Sequence, residues 1–145
     1  SQQLRYRFWE ELLEKAKEQT LLHANVSPLK QSWISTGAGI SGLSYNYVLL
    51  INSARIELYI DRGEQRESKE VYQALLAHRD EIEERFGEPL EWHALEDKQA
   101  SRVQYVISDS GLQDREAWPA LQEKLIDAMD RFSKALQPAI NELRL

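Results

Sequence analysis

Charged and polar side chains recur at every second position between residues 54 and 61, which makes this segment the first place to look for chemistry. Arg55, Glu57, Tyr59 and Asp61 alternate with apolar residues at 54, 56, 58 and 60. In a strand, such residues lie on one face, roughly 7 Å apart. We therefore predict an antiparallel strand with one buried face and one solvent-exposed face. Its polar face is either a recognition surface for a base, a phosphate or a peptide, or an ordinary solvated face with cross-strand ion pairs.

A second strand is predicted over residues 43–51 and is joined to the first by the short connection Asn52-Ser53, which is typical of a hairpin. The pairing brings either Ser44 and Asn46 or Tyr45 and Tyr47 beside the polar face. The predicted ligand-binding set also includes an arginine from a later strand and two residues of a glycine loop. Its members are Arg55, Glu57, Tyr59, Asp61, Arg102, Asn46, Gly39 and Ser41.

The glycine loop at residues 37–42 reads GAGISG and matches the G-x-G-x-x-G pattern of dinucleotide-binding sites. In those sites the last glycine opens a helix, whose N-terminal amides hold the pyrophosphate. Here the glycines lead into the strand predicted over 43–51. We therefore interpret the segment as a flexible connection between antiparallel strands that could still approach a ligand.

No complete catalytic centre is predicted. The order of elements resembles the core of PD-(D/E)XK nucleases, but Tyr59 stands where their lysine would be and Asn46 where their aspartate would be. The three histidines do not have metal-ligand spacing, the chain has no cysteine, and no G-x-S-x-G elbow is present. We predict no catalytic residue, metal or cofactor. A divergent metal-dependent hydrolase centred on Glu57 and Asp61 is the alternative.

The remaining periodicity predicts an α+β fold, with a mainly antiparallel sheet of about five strands and three helices. Helical spacing occurs near residues 4–16, 67–86 and 118–136, and further strands are predicted over 32–36, 90–94 and 102–107. The predicted order is α-β-β-β-α-β-β-α.

Length and composition indicate one domain, 1–145, which can also be one module of a longer protein. The formal charge of −6 disfavours indiscriminate binding to polyanions. The N-terminal segment is charged throughout, unlike a signal peptide, and the longest apolar run is too short to span a membrane. We therefore expect a cytoplasmic protein without a membrane partner.

Four stretches together resemble a prokaryotic family of domains of unknown function. They are LRYRFWE at 4–10, GISGLSYNY at 39–47, RIELYIDRG at 55–63 and ASR at 100–102. Members of that family occur alone or as the C-terminal module behind a segment that resembles a PD-(D/E)XK nuclease. The resemblance implies that any catalytic part lies in the other segment. It assigns no catalytic residue here.

These observations favour a non-catalytic binding or accessory module that serves nuclease, nucleic-acid or defence processes. Its partner would be nucleic acid, or else a partner protein or nuclease segment. A protein-interaction or dimerisation domain is a further alternative, since aromatic residues occupy interface-prone positions at 33, 45, 47 and 92. A homo-oligomer is compatible with that alternative.

Overall fold

A computed structural model describes residues 1–107 and 110–145 of the chain. Five strands form one antiparallel sheet: β1 (Trp33–Gly37), β2 (Leu43–Leu49), β3 (Ala54–Ile60), β4 (Glu91–His93) and β5 (Ser101–Ile107). The helices are α1 (Gln2–Ala16), α2 (Gln65–Leu76), α3 (Arg79–Phe86) and α4 (Trp118–Asn141), and a 3₁₀ turn at Arg115–Ala117 precedes α4.

The strands lie in the order β1-β2-β3-β5-β4, and every neighbouring pair is antiparallel. The register aligns the side chains in rows across the sheet. One row runs Ser35, Asn46, Glu57, Gln104 and Glu91, with one residue from each strand. The α+β class and the five-stranded antiparallel sheet predicted from the sequence are thus confirmed.

The helices pack on one face of the sheet. Alternate residues of β2 and β3, including Tyr45, Tyr47 and Ile56, are fully buried on that face. The ring of Tyr45 lies 6.2 Å from Phe132 of α4, and its hydroxyl donates a hydrogen bond of 2.8 Å to Gln137 of the same helix. Because this face is covered, the opposite face is the one that solvent and partners can reach.

Helix α1 completes the covered side by packing against α4. Its apolar stripe, predicted from the three- and four-residue spacing, is buried, and the rings of Phe8 and Trp118 meet edge to face at 5.2 Å. A polar link crosses the same interface, where Lys15 Nζ donates to Gln122 Oε1 at 2.6 Å. Gln122 is fully buried and also donates to the Phe8 carbonyl oxygen.

The prediction of three helices was wrong, since the described residues form four. The single helix predicted over 67–86 divides at Ala77 and His78, where the His78 amide donates to the Leu75 carbonyl oxygen in a tight turn. The break lets the two halves bury different surfaces. Helix α2 packs on β3 and β5, whereas α3 packs on α4.

The hairpin between β2 and β3 also differs from the prediction. Strand β2 ends at Leu49, so the connection is four residues long and not two. The carbonyl oxygens of Leu50 and Ile51 accept hydrogen bonds from the amides of Leu112 and Gln113. These carbonyl groups therefore bond outside the hairpin, while the Leu50 amide still donates to the Ser53 carbonyl oxygen across it.

Candidate functional site

The uncovered face of the sheet carries a shallow cleft that we call the sheet cleft. Its volume is about 420 Å³. Its floor and walls come from strands β1, β2, β3 and β5 and their adjoining loops, and no helix of the described chain lines it. The residues that matter for its chemistry are Trp33, Asn46, Arg55, Glu57, Tyr59 and Arg102.

Glu57 lies at the centre of the sheet cleft and is only 4% exposed. Its Oε2 accepts a hydrogen bond of 2.8 Å from Asn46 Nδ2, and its Oε1 accepts one of 3.0 Å from Arg55 Nε. Arg102 Nη1 lies 3.7 Å from the same Oε1. A buried carboxylate is stable only when it is paired in this way. Glu57 therefore has both oxygens engaged by protein groups.

The two arginines keep much of their hydrogen-bonding capacity. A guanidinium has five N–H donors, and Arg55 uses its Nε on Glu57. The Nε of Arg102 has no hydrogen-bond partner among the described residues, and neither has the Oδ1 of Asn46. The side chains of Arg55 and Arg102 are partly exposed, at 21% and 25%, whereas the Nε of Arg102 is itself buried. The terminal guanidinium nitrogens are therefore the donors that a bound group can meet.

The end of the cleft nearest the β2–β3 hairpin is apolar. Trp33, on the edge strand β1, is 46% exposed, and Val48 lies beside it in the register. Leu50 completes this wall. The cleft thus joins an aromatic ring and apolar side chains at its hairpin end, where Arg55 pairs with Val48, to a polar centre around Glu57 and Arg102.

The structure resolves which side chains flank the polar face of β3. Ser44 and Asn46 lie there, next to Tyr59 and Glu57, whereas Tyr45 and Tyr47 lie in the core. Arg102 pairs with Tyr59 across β3 and β5. Five of the eight predicted site residues therefore meet in one cleft: Asn46, Arg55, Glu57, Tyr59 and Arg102.

Asp61, Gly39 and Ser41 do not line the sheet cleft. Asp61 follows the end of β3, and its Oδ1 accepts hydrogen bonds from the Gln99 side chain at 2.8 Å and from the Gly63 amide at 3.0 Å. These two bonds hold the pKa of Asp61 below its usual value. Asp61 is therefore engaged by residues that follow β3 or precede β5, and not by the residues around Glu57.

The glycine loop is held elsewhere by its own contacts. Gln137 of α4 donates to the Ala38 carbonyl oxygen at 3.0 Å, so the loop lies against the helix that covers the other face. The Ser41 carbonyl oxygen accepts a hydrogen bond of 2.7 Å from Arg62 Nη1. The loop runs into β2 and not into a helix, which agrees with its interpretation as a connection.

Sequence reasoning missed Gln104 and gave Trp33 no place in the site. Gln104 lies two residues after Arg102, so strand alternation alone would have placed both on one face. Its Nε2 donates to Glu91 Oε1 at 3.2 Å. Trp33 could not be assigned in the same way, because its position in the cleft depends on the register between β1 and β2.

Titratable groups outside the cleft do not assemble a second centre. Among the described residues, no three His, Cys, Asp or Glu side chains lie close enough together to hold a metal ion. His23 is buried behind the covered face, and burial lowers its pKa to about 4. His78 and His93 are partly exposed, and each lies near a single glutamate.

The described residues form an α+β fold with one helix-covered and one open sheet face. The family model described as "Domain of unknown function (DUF4268)" matches residues 4–140, and the chain belongs to this family. Searches of curated proteins and of solved structures found no match. No helix in the described parts of the chain is long and apolar enough to cross a membrane.

Proposed function

We propose that this domain is a non-catalytic binding module and that the uncovered sheet face is its binding surface, with nucleic acid as the favoured partner. The observation that carries the proposal is the charge of the sheet cleft. Its described lining holds two guanidiniums, Arg55 and Arg102, and one carboxylate, Glu57, which leaves one positive charge in excess. Glu91 of β4 lies farther along the same face, so on a chain with a formal charge of −6 the attraction for an anionic partner is confined to the cleft itself.

The engagement of Glu57 supports a non-catalytic role. A hydrolytic metal ion needs carboxylate oxygens that are free to bind it. One carboxylate oxygen of Glu57 accepts a hydrogen bond from Asn46, and the other contacts the two arginines. Asp61 accepts hydrogen bonds from Gln99 and Gly63. The alternative of a divergent metal-dependent nuclease requires Glu57 to release at least one of these partners, whereas both hydrogen bonds of Asp61 go to its Oδ1.

Magnesium and manganese titrations separate these two functions. For a binding module we expect neither metal to raise the melting temperature nor to elicit cleavage of DNA or RNA. Cleavage that disappears in Glu57→Gln would establish the nuclease alternative instead.

The resemblance to modules found behind nuclease-like segments suggests how such a module is used. In this accessory role, the domain binds a nuclease or brings it to its target. The nuclease is encoded in the same reading frame or in a neighbouring gene. The coding sequence around the domain is the test. A nuclease segment there supports the accessory role, and its absence across many genomes would remove it.

Binding to the face can be measured by fluorescence anisotropy of labelled single- and double-stranded DNA and RNA at low salt. We expect Arg55→Ala and Arg102→Ala each to weaken binding and to reduce its salt dependence by about one ion. Arg66→Ala is the matched control, because Arg66 is 80% exposed on α2 and its removal changes the net charge equally. Equal weakening in all three variants, or no binding by the wild type, would refute this function.

A protein-interaction role is the second candidate, favoured by apolar side chains at one end of the uncovered face. Trp33, Leu50, Ile51 and Val106 are each at least 36% exposed. Light scattering across a concentration series tests for self-association. A mass that rises with concentration in the wild type, but not in Ile51→Ser, would support dimerisation through this end.

A further inference from the structure

The geometry points to one nucleotide unit as the ligand of the sheet cleft, with its base on Trp33 and its phosphate on the terminal guanidinium nitrogens of Arg55 and Arg102 that face away from Glu57. This inference rests on the proposed function, because it names the chemistry that the same face would bind. The shared chemistry is a phosphate joined to an unstacked base. Its source is either a free nucleotide or a single strand of nucleic acid.

The size of the cleft suits such a unit. Its volume of about 420 Å³ lies at the lower end of the range for small-molecule sites, which is roughly 300–1,000 Å³. Trp33 and Arg55 occupy the same row of the sheet, with Val48 between them. Their backbones are therefore about 10 Å apart, and Val48 between them is only 5% exposed, so a base stacked on Trp33 lies over the cleft and not directly on Val48.

The apolar end offers a face for a base. Trp33 is the largest exposed ring on this side of the sheet, at 46%, and Val48 and Leu50 shield it from one side. Stacking on an aromatic ring tolerates every base, since each base has a π-face. A duplex hides those faces within its own stack, so the cleft favours an unpaired nucleotide.

The polar end offers donors for a phosphate. Glu57 fixes Arg55 through one hydrogen bond of 3.0 Å and lies 3.7 Å from Arg102, so it holds both guanidiniums side by side. One carboxylate neutralises only one of them, and a phosphate supplies the second counter-charge. Charge-assisted hydrogen bonds to terminal guanidinium nitrogens are the strong ones in phosphate recognition. Glu57 is thus a positioning residue that prepares the anion site.

Three ligands test the inference: thymidine monophosphate, an oligothymidylate, and an abasic deoxyribose-phosphate strand of the same length. We expect the abasic strand to bind at least about fivefold more weakly than the oligothymidylate, because it cannot stack. Trp33→Ala should weaken the oligothymidylate by a similar factor and leave the abasic strand unchanged. Trp33→Phe should restore most of the affinity.

Two control variants keep the readout specific. Leu21→Ala removes an apolar side chain that is 82% exposed away from the sheet, and Arg66→Ala removes an exposed charge. Both should bind the oligothymidylate as the wild type does. Binding of thymidine monophosphate that depends on Trp33 would identify a free nucleotide as the source, whereas binding of the strand alone would identify single-stranded nucleic acid.

The possible failures are distinguishable. If the abasic and normal strands bind equally and Arg55→Ala still weakens both, the nucleotide site is overturned. The proposal that this surface binds anionic partners would then still hold. An aromatic peptide with a free carboxylate that binds in a Trp33-dependent manner, while the nucleotides do not, would overturn it in favour of a peptide. Failure of every nucleic-acid ligand to bind would remove both this inference and the nucleic-acid part of the proposed function.

Discussion

The side-chain amide of Asn46 donates a hydrogen bond of 2.8 Å to the carboxylate of Glu57, its direct partner across strands β2 and β3. This bond fixes the plane of the carboxylate and leaves the other oxygen facing Arg55 and Arg102. The polar face is therefore an ordered network at its centre, where neighbouring side chains exclude water. Its energetic importance can be measured.

Glu57→Ala should lower the free energy of unfolding by about 3 kcal/mol, because it leaves two guanidiniums and an amide without their common partner. Urea denaturation gives this value. Glu70→Ala is the control, since Glu70 is 65% exposed and its ion pair with Arg66 spans 3.8 Å. That control should stay within about 0.5 kcal/mol of the wild type. Equal effects in both variants would mean that the network does not stabilise the sheet.

Lys69→Met should destabilise the fold and loosen the segment 94–100. The three N–H groups of Lys69 Nζ on α2 are shared among the carbonyl oxygens of Ala94, Leu95 and Ala100 and the Ser101 hydroxyl. Removing the ammonium takes a charged donor from all four, although the Ser101 hydroxyl still donates to Ala94 and the Lys98 amide to Leu95, and costs about 1–3 kcal/mol. Hydrogen exchange should become faster in residues 94–100. Lys98→Met, which changes an exposed lysine of the same segment, should leave exchange unchanged.

Gly42→Ala should be far more damaging than Gly63→Ala, although both glycines have φ of +89°. A Cβ at Gly42 would lie 2.2 Å from the Asp61 carbonyl oxygen, whereas a Cβ at Gly63 meets nothing within 4 Å. The Gly63 variant carries only the cost of a left-handed backbone, about 1–2 kcal/mol. The Gly42 variant must also separate two chain segments. Thermal unfolding of the pair checks the order, and similar melting temperatures would contradict it.

Stability should fall between pH 7.5 and pH 5 because of His23. Its Nε2 lies 3.1 Å from the Tyr45 carbonyl oxygen in the core, and burial lowers its pKa from 6.5 to about 4. Between pH 6.5 and about pH 4, His23 therefore binds a proton in the unfolded chain but not in the folded chain. The loss of stability begins as the pH falls through 6.5 and is complete below about 4.

At pH 5 this effect amounts to about 2 kcal/mol relative to neutral pH. Urea denaturation at the two pH values should show the loss in the wild type and a much smaller one in His23→Phe. The carboxylates of Asp61 and Glu83 have lowered pKa values and therefore titrate at lower pH. They are present in both the wild type and the variant, so they do not contribute to the difference between the two proteins. A similar pH dependence in wild type and variant would mean that His23 is not the group responsible.

Much of the candidate site follows from local sequence. Strict alternation between residues 54 and 61 placed Arg55, Glu57 and Tyr59 on one face. A shift of one residue in the register of β2 was the only choice left for their neighbours on that strand. Asp61 was included because alternation continues past the point where the ladder ends. Gly39 and Ser41 were included because a loop rich in glycine and serine can approach a ligand. Contacts of the loop with Gln137 and Arg62 instead hold it outside the cleft.

Local periodicity was enough to predict the α+β class, the hairpin of β2 and β3 and the polar face of β3, because periods of 2 and 3.6 residues are local properties. Packing between distant segments set which face the helices cover and brought Arg102 to Glu57. It also divided the second predicted helix, since its two halves bury against different partners. The position of Trp33 in the cleft is likewise a consequence of tertiary structure. Its position depends on pairing between distant strands, which no short window of sequence encodes.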